Sequence, residues 1–592
     1  MRSSKIDVLK GLAIIGVVLY HAGYVQYGYI GVEIFLVIAG YLTAKGILRR
    51  MSEKRFAPLR FMWERLARLL PLVLVAGTVS MAFGAILMLP DDFENLCDSV
   101  IASSFFANNI LQWITSRNYW AAINEVKPMM HFWYLGLLMQ FYVVFAAIVT
   151  PVAKLCPKRA MVVLRLVVSV LLVASLALYI SPLGDVGHHF YFLPWRLFEF
   201  LGGVMMALLS TQRLIDAEGV EKKMSGKLMA SRSLCVKVGL VSIVVLCFSP
   251  WIDIPNQLRT VLMAAVACVV VAIPDDMFTF LSGRAFAPIV WCGKASLSIY
   301  VWHQVILAFT RYSFETSFSM DTLVVMMAIL VGLSFVGYRF VEQKFTKIGV
   351  RGIIALGVAF MGLNGVAFVG YMRAGVVRDI PELDVYVANA QRGIHAEYNE
   401  RVMQYNNPFG ESGKKKVLAI GDSFARDWSN VLLESDVADK IELSYFRQVD
   451  PPADVSERVR NADVVFYTTS GDFSEFPKYL SATTLSDKLF VVGTKYFGNS
   501  NGQVYARRYE KDYFDATVEI PLEYLVRNER QQKEYGDHFV DMIAALQVKP
   551  GVMPIFSDEN KYISQDCRHF TRGGAKYAAK RIDLAKLLGV ND

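Results

Sequence analysis

The sequence predicts a polytopic α-helical membrane bundle, about ten helices plus one linking helix, followed by a doubly wound α/β domain. Three observations predict it. The 592 residues are 54% hydrophobic with a mean hydropathy of +0.37, too apolar for one large soluble protein. The charged residues, 19% of the chain, cluster between long apolar runs. Beyond Gly413 the apolar runs shorten to strand length and alternate with polar, helix-like stretches.

Runs long enough to cross a bilayer lie at roughly 8–25, 30–48, 69–89, 131–150, 161–180, 189–210, 235–250, 259–274, 287–310, 321–340 and 352–373, about eleven in all. The loops between them alternate in charge. Lys45, Arg49, Arg50, Lys54, Arg55, Arg60, Arg65 and Arg68 crowd the second loop. Lys154, Lys158 and Arg159, then Lys222, Lys223 and Lys227, then Lys344, Lys347 and Arg351 mark later loops of the same side. Asp91, Asp92 and Glu94 lie in an intervening loop. Basic loops stay cytoplasmic, so the N-terminus is read as cytoplasmic and everything after Tyr371 as lying outside. The same rule accounts for the net charge of +8 without a nucleic-acid partner. The first run is followed almost at once by a second, so it reads as a retained span and not a cleaved leader. The seven cysteines form no CxxC pair, which argues against a disulfide framework or a metal site. Cys97 and Cys567 read as two thiols.

These features divide the chain into a membrane domain at 1–346, an extra membrane helix at 347–376, a linker at 377–414 and an extracytoplasmic domain at 415–592. In the last, VLAIG (417–421), IELSYF (441–446), DVVFYTT (463–469) and KLFVVGT (488–494) read as strands. Helix-like stretches at 424–434 and 528–546 lie between or after them, the alternation of a parallel sheet covered on both faces.

In GDSFARDW a strand ends and Ser423 opens a helix, where its own N–H and the helix N-terminus can stabilise an oxyanion. Gly-Asp-Ser alone is as readily a helix cap. Near the C-terminus, however, Asp566 stands three residues before His569, in SQDCRHFTRGG. An Asp so placed can hold the imidazole while it faces a serine, completing a Ser-His-Asp arrangement. Through Gly421-Asp422-Ser423-Phe424 and Asp566-x-x-His569, residues 415–590 resemble the SGNH hydrolase family, also called GDSL esterases. The resemblance implies ester hydrolysis or acyl transfer, with oxyanion donors from a glycine and from an asparagine in a Gly-x-Asn block. Here the third strand runs into Ser470-Gly471-Asp472, which lacks that asparagine, whereas GTKYFGNSNG offers Asn499 or Asn501. Gly471 and Asn499 are the expected donors.

The membrane part carries its own ionisable residues. Lys10 and His21 are eleven apart on the first helix and so share nearly one face, about 16 Å apart along the axis. Glu33 opens the second span, a costly position unless it faces a polar interior. Arg65 and Arg68 share a helix face just before the third span, as a phosphate clamp or as topology signals. His131, Arg196, Glu199, His303 and Glu342 lie at or near membrane depth; Arg196 and Glu199 are spaced to pair with each other. Together they suggest a polar cavity inside the bundle.

Residues 4–346 resemble the acyltransferase-3 family of bacterial membrane O-acetylases. Lys10 to His21, GVEIFLVIAGYL with Glu33, Arg65-x-x-Arg68, HFWYLG with QFY, RLFEFLGG, SLSIYVWH and FVEQKF carry the resemblance in order. It implies acetyl-CoA as cytoplasmic acyl donor, with Arg65 and Arg68 at its phosphates and His21, with Lys10, passing the acyl group outward. Leu138-Met139 stand where the family carries acidic residues. The combined reading is an O-acyltransferase of the bacterial inner membrane. Its acceptors would be hydroxyls of a surface or secreted glycan: O-antigen of lipopolysaccharide, peptidoglycan or exopolysaccharide. Ser423, His569 and Asp566 would act on the outer face, with no metal. A membrane-anchored glycan O-esterase, or a transporter or flippase with an accessory domain, are the alternatives.

Overall fold

The computed structural model describes the chain apart from residues 1–3, 117–121, 218–225, 250, 252, 276–277, 279–280, 282, 315–316, 345–348, 471–476, 478–479, 481–487 and 591–592. Lys222, Lys223, Lys347 and Gly471 therefore lie outside the described residues. The chain forms two units. Met1–Gly84 with Leu96–Phe368 make the first, and Ala85–Asn95 with Val369–Asp592 the second.

The first unit is helical. Its helices are α1 Ser4–His21, α2 Gly31–Ser52, α3 Pro58–Leu87, α4 Pro90–Ser104, α5 Asn108–Thr115, α6 Trp133–Leu155 and α7 Ala160–Ile180. There follow α8 Val186–Tyr191, α9 Leu193–Ala217, α10 Gly226–Phe248, α11 Asn256–Ala272, α12 Ala287–Lys294, α13 Ser296–Ser313, α14 Met320–Val336 and α15 Val350–Met372. Every run read as a span is helical, yet among the described residues only seven stretches are long and apolar enough to cross a membrane. The difference has local causes. Helix α1 carries Lys5, Asp7 and Lys10, α11 has 17 residues, and the run 287–310 breaks at Ala295 into α12 and α13. Helices α4 and α5 went unpredicted because their inward face is polar: Ser103, Ser104, Asn108, Asn109 and Gln112 are buried, so apolar periodicity is weak.

Helix α13 is buried along nearly its whole length, while α7 exposes Val162, Leu166, Val170 and Val173 as a lipid-facing stripe. Lipid supplies no hydrophobic drive between helices, so close backbone approach must hold them. Helices α2 and α9 meet this way. A Cβ on Gly40 would lie 2.0 Å from the Phe200 carbonyl oxygen, and one on Gly203 2.0 Å from that of Val37.

In the second unit β1 Lys415–Gly421, β2 Ile441–Arg447, β3 Val464–Thr468, β4 Leu489–Val492, β5 Thr517–Glu519, β6 Phe539–Val540 and β7 Val552–Pro554 form two sheets. The larger is parallel in the order β2-β1-β3-β4-β6, and β5 pairs with β7 antiparallel. Both faces of the parallel sheet are buried: Val417 and Ala419 join Trp428 and Phe466, whereas Leu418 and Ile420 join Phe446 and Tyr467. That is why these strands read as continuous apolar runs. Residues 377–414 carry the helix Ile394–Glu400, and Val402 lies in the same core as Trp428. Segment Ala85–Asn95 is built in as well. Arg378 donates to the carbonyls of Ala85 and Met88, and Leu89 packs with Ile380, Tyr505, Tyr513 and Tyr562.

Candidate active site

The order of the parallel sheet reverses direction between β1 and β3, the crevice where ligands bind at the carboxyl ends of such sheets. Ser423 sits there, first residue of the helix Ser423–Leu433. The turn before it needs glycine. Gly421 has φ +153°, and a Cβ there would lie 1.7 Å from the Thr468 carbonyl oxygen. Asp422 caps the helix, accepting from the Phe424 N–H at 2.8 Å, and it also accepts from the N–H and hydroxyl of Ser470 at 2.7 and 2.6 Å. Burial raises its pKa, but these hydrogen bonds outweigh burial and hold the carboxyl below its usual range.

Asp566, His569 and Ser423 lie in one hydrogen-bonded line. Asp566 Oδ1 accepts from the N–H groups of Arg568 and His569 at 3.0 and 2.8 Å, a local turn that leaves Oδ2 for the ring, and His569 Nδ1 meets it at 2.6 Å. Burial acts to raise the Asp566 pKa, but the bonds and charge of His569 and the two N–H groups bring it well below the usual carboxylate range. An ionised Asp566 can only accept, so Nδ1 carries the hydrogen. Nε2 then holds the lone pair and accepts the Ser423 hydroxyl at 2.8 Å. This arrangement can deprotonate Ser423 as it attacks a carbonyl.

Asp427 and Lys495 escaped the sequence reading, and Asn501, offered there as an oxyanion donor, bonds elsewhere. Asp427, one turn beyond Ser423 and buried, accepts from the Phe570 N–H at 3.0 Å and pairs with buried Lys495 at 2.7 Å, fixing the residue after His569. Its signal was weak, a charged residue on the inward face of an amphipathic helix. The Asn501 amide donates to the Ser564 and Gln565 carbonyls at 2.7 and 3.1 Å, tying the turn before Asp566. Asn499 accepts from the Tyr496 hydroxyl at 3.5 Å. The cavity holding Asp566 and His569 is also lined by Glu397, Lys561, Arg572 and Asp91. Burial, with Asp92 and Asp566 nearby, pushes the Asp91 carboxyl up to about 8.

In the first unit, Lys10, Arg65 and Arg68 line one cavity with Thr43, Ser296, Leu138 and Tyr300. The Arg65 guanidinium lies 5.0 Å from the ring centres of both Phe61 and Tyr142, and its buried Nε has no hydrogen-bond partner. Arg68 pairs with Glu342 at 3.2 Å, and Ser298 donates to the same carboxylate at 3.4 Å. Glu33 and Arg196 form a buried ion pair, and Glu199 lies 3.3 Å from the same guanidinium. The spacing of Arg196 and Glu199 suggested their pairing; Glu33 joins because α2 and α9 touch. His21 is not near this ion cluster but beside His303, the ring centres 5.2 Å apart, and His303 is 5.0 Å from His131. Lys10 and His21, though on one helix, thus serve different surroundings. Among the described residues no group of His, Cys, Asp or Glu is arranged to hold a metal ion. Cys97 and Cys567 are not bridged; Cys97 meets Met81 and Cys567 meets Asn501.

Residues 3–339 match the acyltransferase domain of the acyltransferase-3 family. Among curated relatives, the peptidoglycan O-acetyltransferase OatA of Listeria monocytogenes is 26% identical over 361 residues, covering 58% of this chain and 56% of the relative. The O-acetyltransferase OatA of Staphylococcus aureus is 25% identical over 359 residues, covering 58% and 57%. The chain thus aligns with little more than half the length of these relatives. No solved structure matches. The domain match extends over more than half of the 592 residues and takes in six of the seven candidate spans whole or nearly so; this multi-pass membrane protein belongs to the acyltransferase-3 family.

Proposed function

We propose that the chain is an O-acetyltransferase of the bacterial plasma membrane. It takes acetyl from acetyl-CoA on the cytoplasmic side and delivers it, through Ser423 on the outer face, to hydroxyls of a cell-envelope glycan, peptidoglycan first among them. The observation that carries this reading is the bonded line Ser423–His569–Asp566 on the same chain as an acyltransferase-3 domain. The names of the two relatives support the acetyl group and the cell-wall acceptor. The basic loops support a cytoplasmic N-terminus and an outer second unit.

The cavity of the first unit suits the donor. Lys10, Arg65 and Arg68 would meet phosphates, the orphaned Arg65 Nε supplying a donor that the protein does not use. Phe35, Ile38, Leu42, Leu69 and Leu138 would enclose the acyl thioester. On the outer side, Ser423 would give its proton to His569 Nε2 and bond to the acyl carbon, the bond from that carbon to the group that carried it outward would break, and Nε2 would pass the proton to that leaving group, while Asp566 steadies the ring during its cationic stage. The Ser423 N–H, at a helix N-terminus, would face the developing oxyanion. A glycan hydroxyl would then give its proton to Nε2, attack the acyl-serine and release Ser423.

The test uses the full chain in sealed vesicles given acetyl-CoA labelled in the acetyl group. Label trapped on the protein should map to Ser423 and vanish in Ser423→Ala. Undiminished protein label in Ser423→Ala sinks the covalent relay. Native chain that takes up no label but deacetylates a glycan, with His21→Ala indifferent, supports the esterase instead.

A further inference from the structure

Three histidines of the first unit, His131 and His303 buried and His21 half-buried, lie behind the wall of the donor cavity. Tyr300 lines that cavity, and its ring centre lies 5.2 Å from His131 and 5.5 Å from His303. The Tyr300 hydroxyl donates to the His131 carbonyl at 2.5 Å, joining wall and cluster. His131 and His303 are each 1% exposed. They come from separate parts of the chain, the short helix Met130–Phe132 and α13, and meet His21 at the end of α1.

The hydrogen bonds fix which nitrogen of each neutral ring carries its hydrogen. A carbonyl only accepts, so a ring nitrogen facing one must be the N–H. His303 Nδ1 faces the Tyr300 carbonyl at 2.6 Å, and His131 Nε2 faces the Val301 carbonyl at 3.1 Å. The lone pairs therefore stand on His303 Nε2 and His131 Nδ1. Both atoms are buried and have no hydrogen-bond partner. A buried acceptor left unpaired weighs against folding, and two occur here within one cluster. Packing alone would favour an apolar residue at either place.

Resting on the reading of this unit as the donor side of an acetyltransferase, we propose that His303 is a catalytic base, its Nε2 taking the proton of a hydroxyl-bearing acyl acceptor, with His131 Nδ1 as a second hydrogen-bond acceptor for that group. The step balances. The acceptor O–H bond breaks as its oxygen bonds to the acyl carbon, the proton moves to His303 Nε2, the thioester carbon–sulfur bond breaks, and Nε2 returns the proton to the leaving sulfur. The groups facing the cluster are His21, Tyr20, Tyr300, Arg311 and Glu125. The Tyr20 and His21 ring centres are 5.0 Å apart, Arg311 donates to the His21 carbonyl, and Arg311 pairs with Glu125 at 3.3 Å.

The test follows thiol release from acetyl-CoA by the full chain in membrane vesicles across pH 5.5 to 9, beside thermal unfolding and labelling of Ser423 by a fluorophosphonate. His303→Gln keeps an N–H for the Tyr300 carbonyl but removes the basic nitrogen. It should lower thiol release about 100-fold at every pH of that range, with the unfolding midpoint and Ser423 labelling retained. Release within about threefold of native overturns the proposal. If His303→Gln does not fold, His131→Asn decides: a roughly tenfold loss with normal unfolding supports the site, and native release overturns it. Native chain that releases no thiol overturns the donor-side reading, and this base with it.

Discussion

In the second unit, Ser423, His569 and Asp566 bond to one another in a line that water can reach, Ser423 placed by the turn at Gly421 and Asp566 and His569 by one shared turn. In the first unit the ionisable groups are buried or, as with Arg65 and Arg68, half-buried, and they sort into two kinds. Glu33, Arg196 and Glu199, and Arg68 with Glu342, are matched by opposite charge. Arg65, His131 and His303 keep buried nitrogens without partners. The difference follows from the surroundings. Water can satisfy whatever a surface site leaves open, so the Ser423 line is recognised by its own geometry. In a bilayer a polar group must be satisfied by protein, so the groups left over are the ones to suspect of meeting a substrate.

Four changes break or sharpen that contrast. The largest effect is expected from His569→Ala, which should lower esterase activity of the full chain on a small acetyl ester by about 1,000-fold or more. Acetyl-CoA thiol release by the first unit should persist. Equal loss of both activities would mean that the two sites cannot be separated. Next, Arg196→Gln should destabilise the chain by about 3–5 kcal/mol, because it leaves Glu33 and Glu199 without a counter-charge in a dry interior. Thermal unfolding in detergent measures it, and a loss below about 1 kcal/mol, as at a surface pair, would show that water reaches the cluster. Arg65→Ala should raise the KM for acetyl-CoA about tenfold, equivalent to about 1.4 kcal/mol, with Ser423 labelling unchanged. A fall in kcat at constant KM would instead tie Arg65 to the chemical step.

The smallest effect is on stability against pH. The folded-state pKa of Asp566 is depressed, so its contribution is present above its unfolded value of about 3.9 and is lost as pH falls through the folded value. Asp566→Asn should therefore cost stability at neutral pH, about 1 kcal/mol after solvent screening, and the gap to native should close below about pH 4. An unchanged gap in acid would assign the loss to packing and not to charge.

Much of the Ser423 site was legible in the sequence because its parts are local. Gly421 is dictated by a turn that brings the backbone against Thr468, and the spacing of Asp566 and His569 is set by one Asx-type turn. The supports were not legible, since Asp427, Lys495 and Asn501 act across the fold on residues distant in sequence. In the first unit, hydropathy marked the long helices but missed α4 and α5, whose buried Asn108, Asn109 and Gln112 bond to carbonyls and amides inside the bundle. Residues 85–89 read as the end of the third span and Asp91, Asp92 and Glu94 as the loop after it, yet Ala85–Asn95 belong to the second unit, a pairing that no local pattern encodes.

The amino-acid sequence by itself determined that the chain crosses a membrane, that a parallel α/β sheet follows, and that a Gly-Asp-Ser turn and an aspartate three residues before a histidine stand in that second domain. These follow from hydropathy, periodicity and short turns, which act over a few residues. Only the tertiary structure decided which polar groups of the membrane unit meet. It set Glu33 beside Arg196, Arg68 beside Glu342, and three histidines from three segments beside one another. Helix contacts make those choices, and glycines such as Gly40 and Gly203 permit them by letting two backbones touch, a property of pairs of helices and of neither alone.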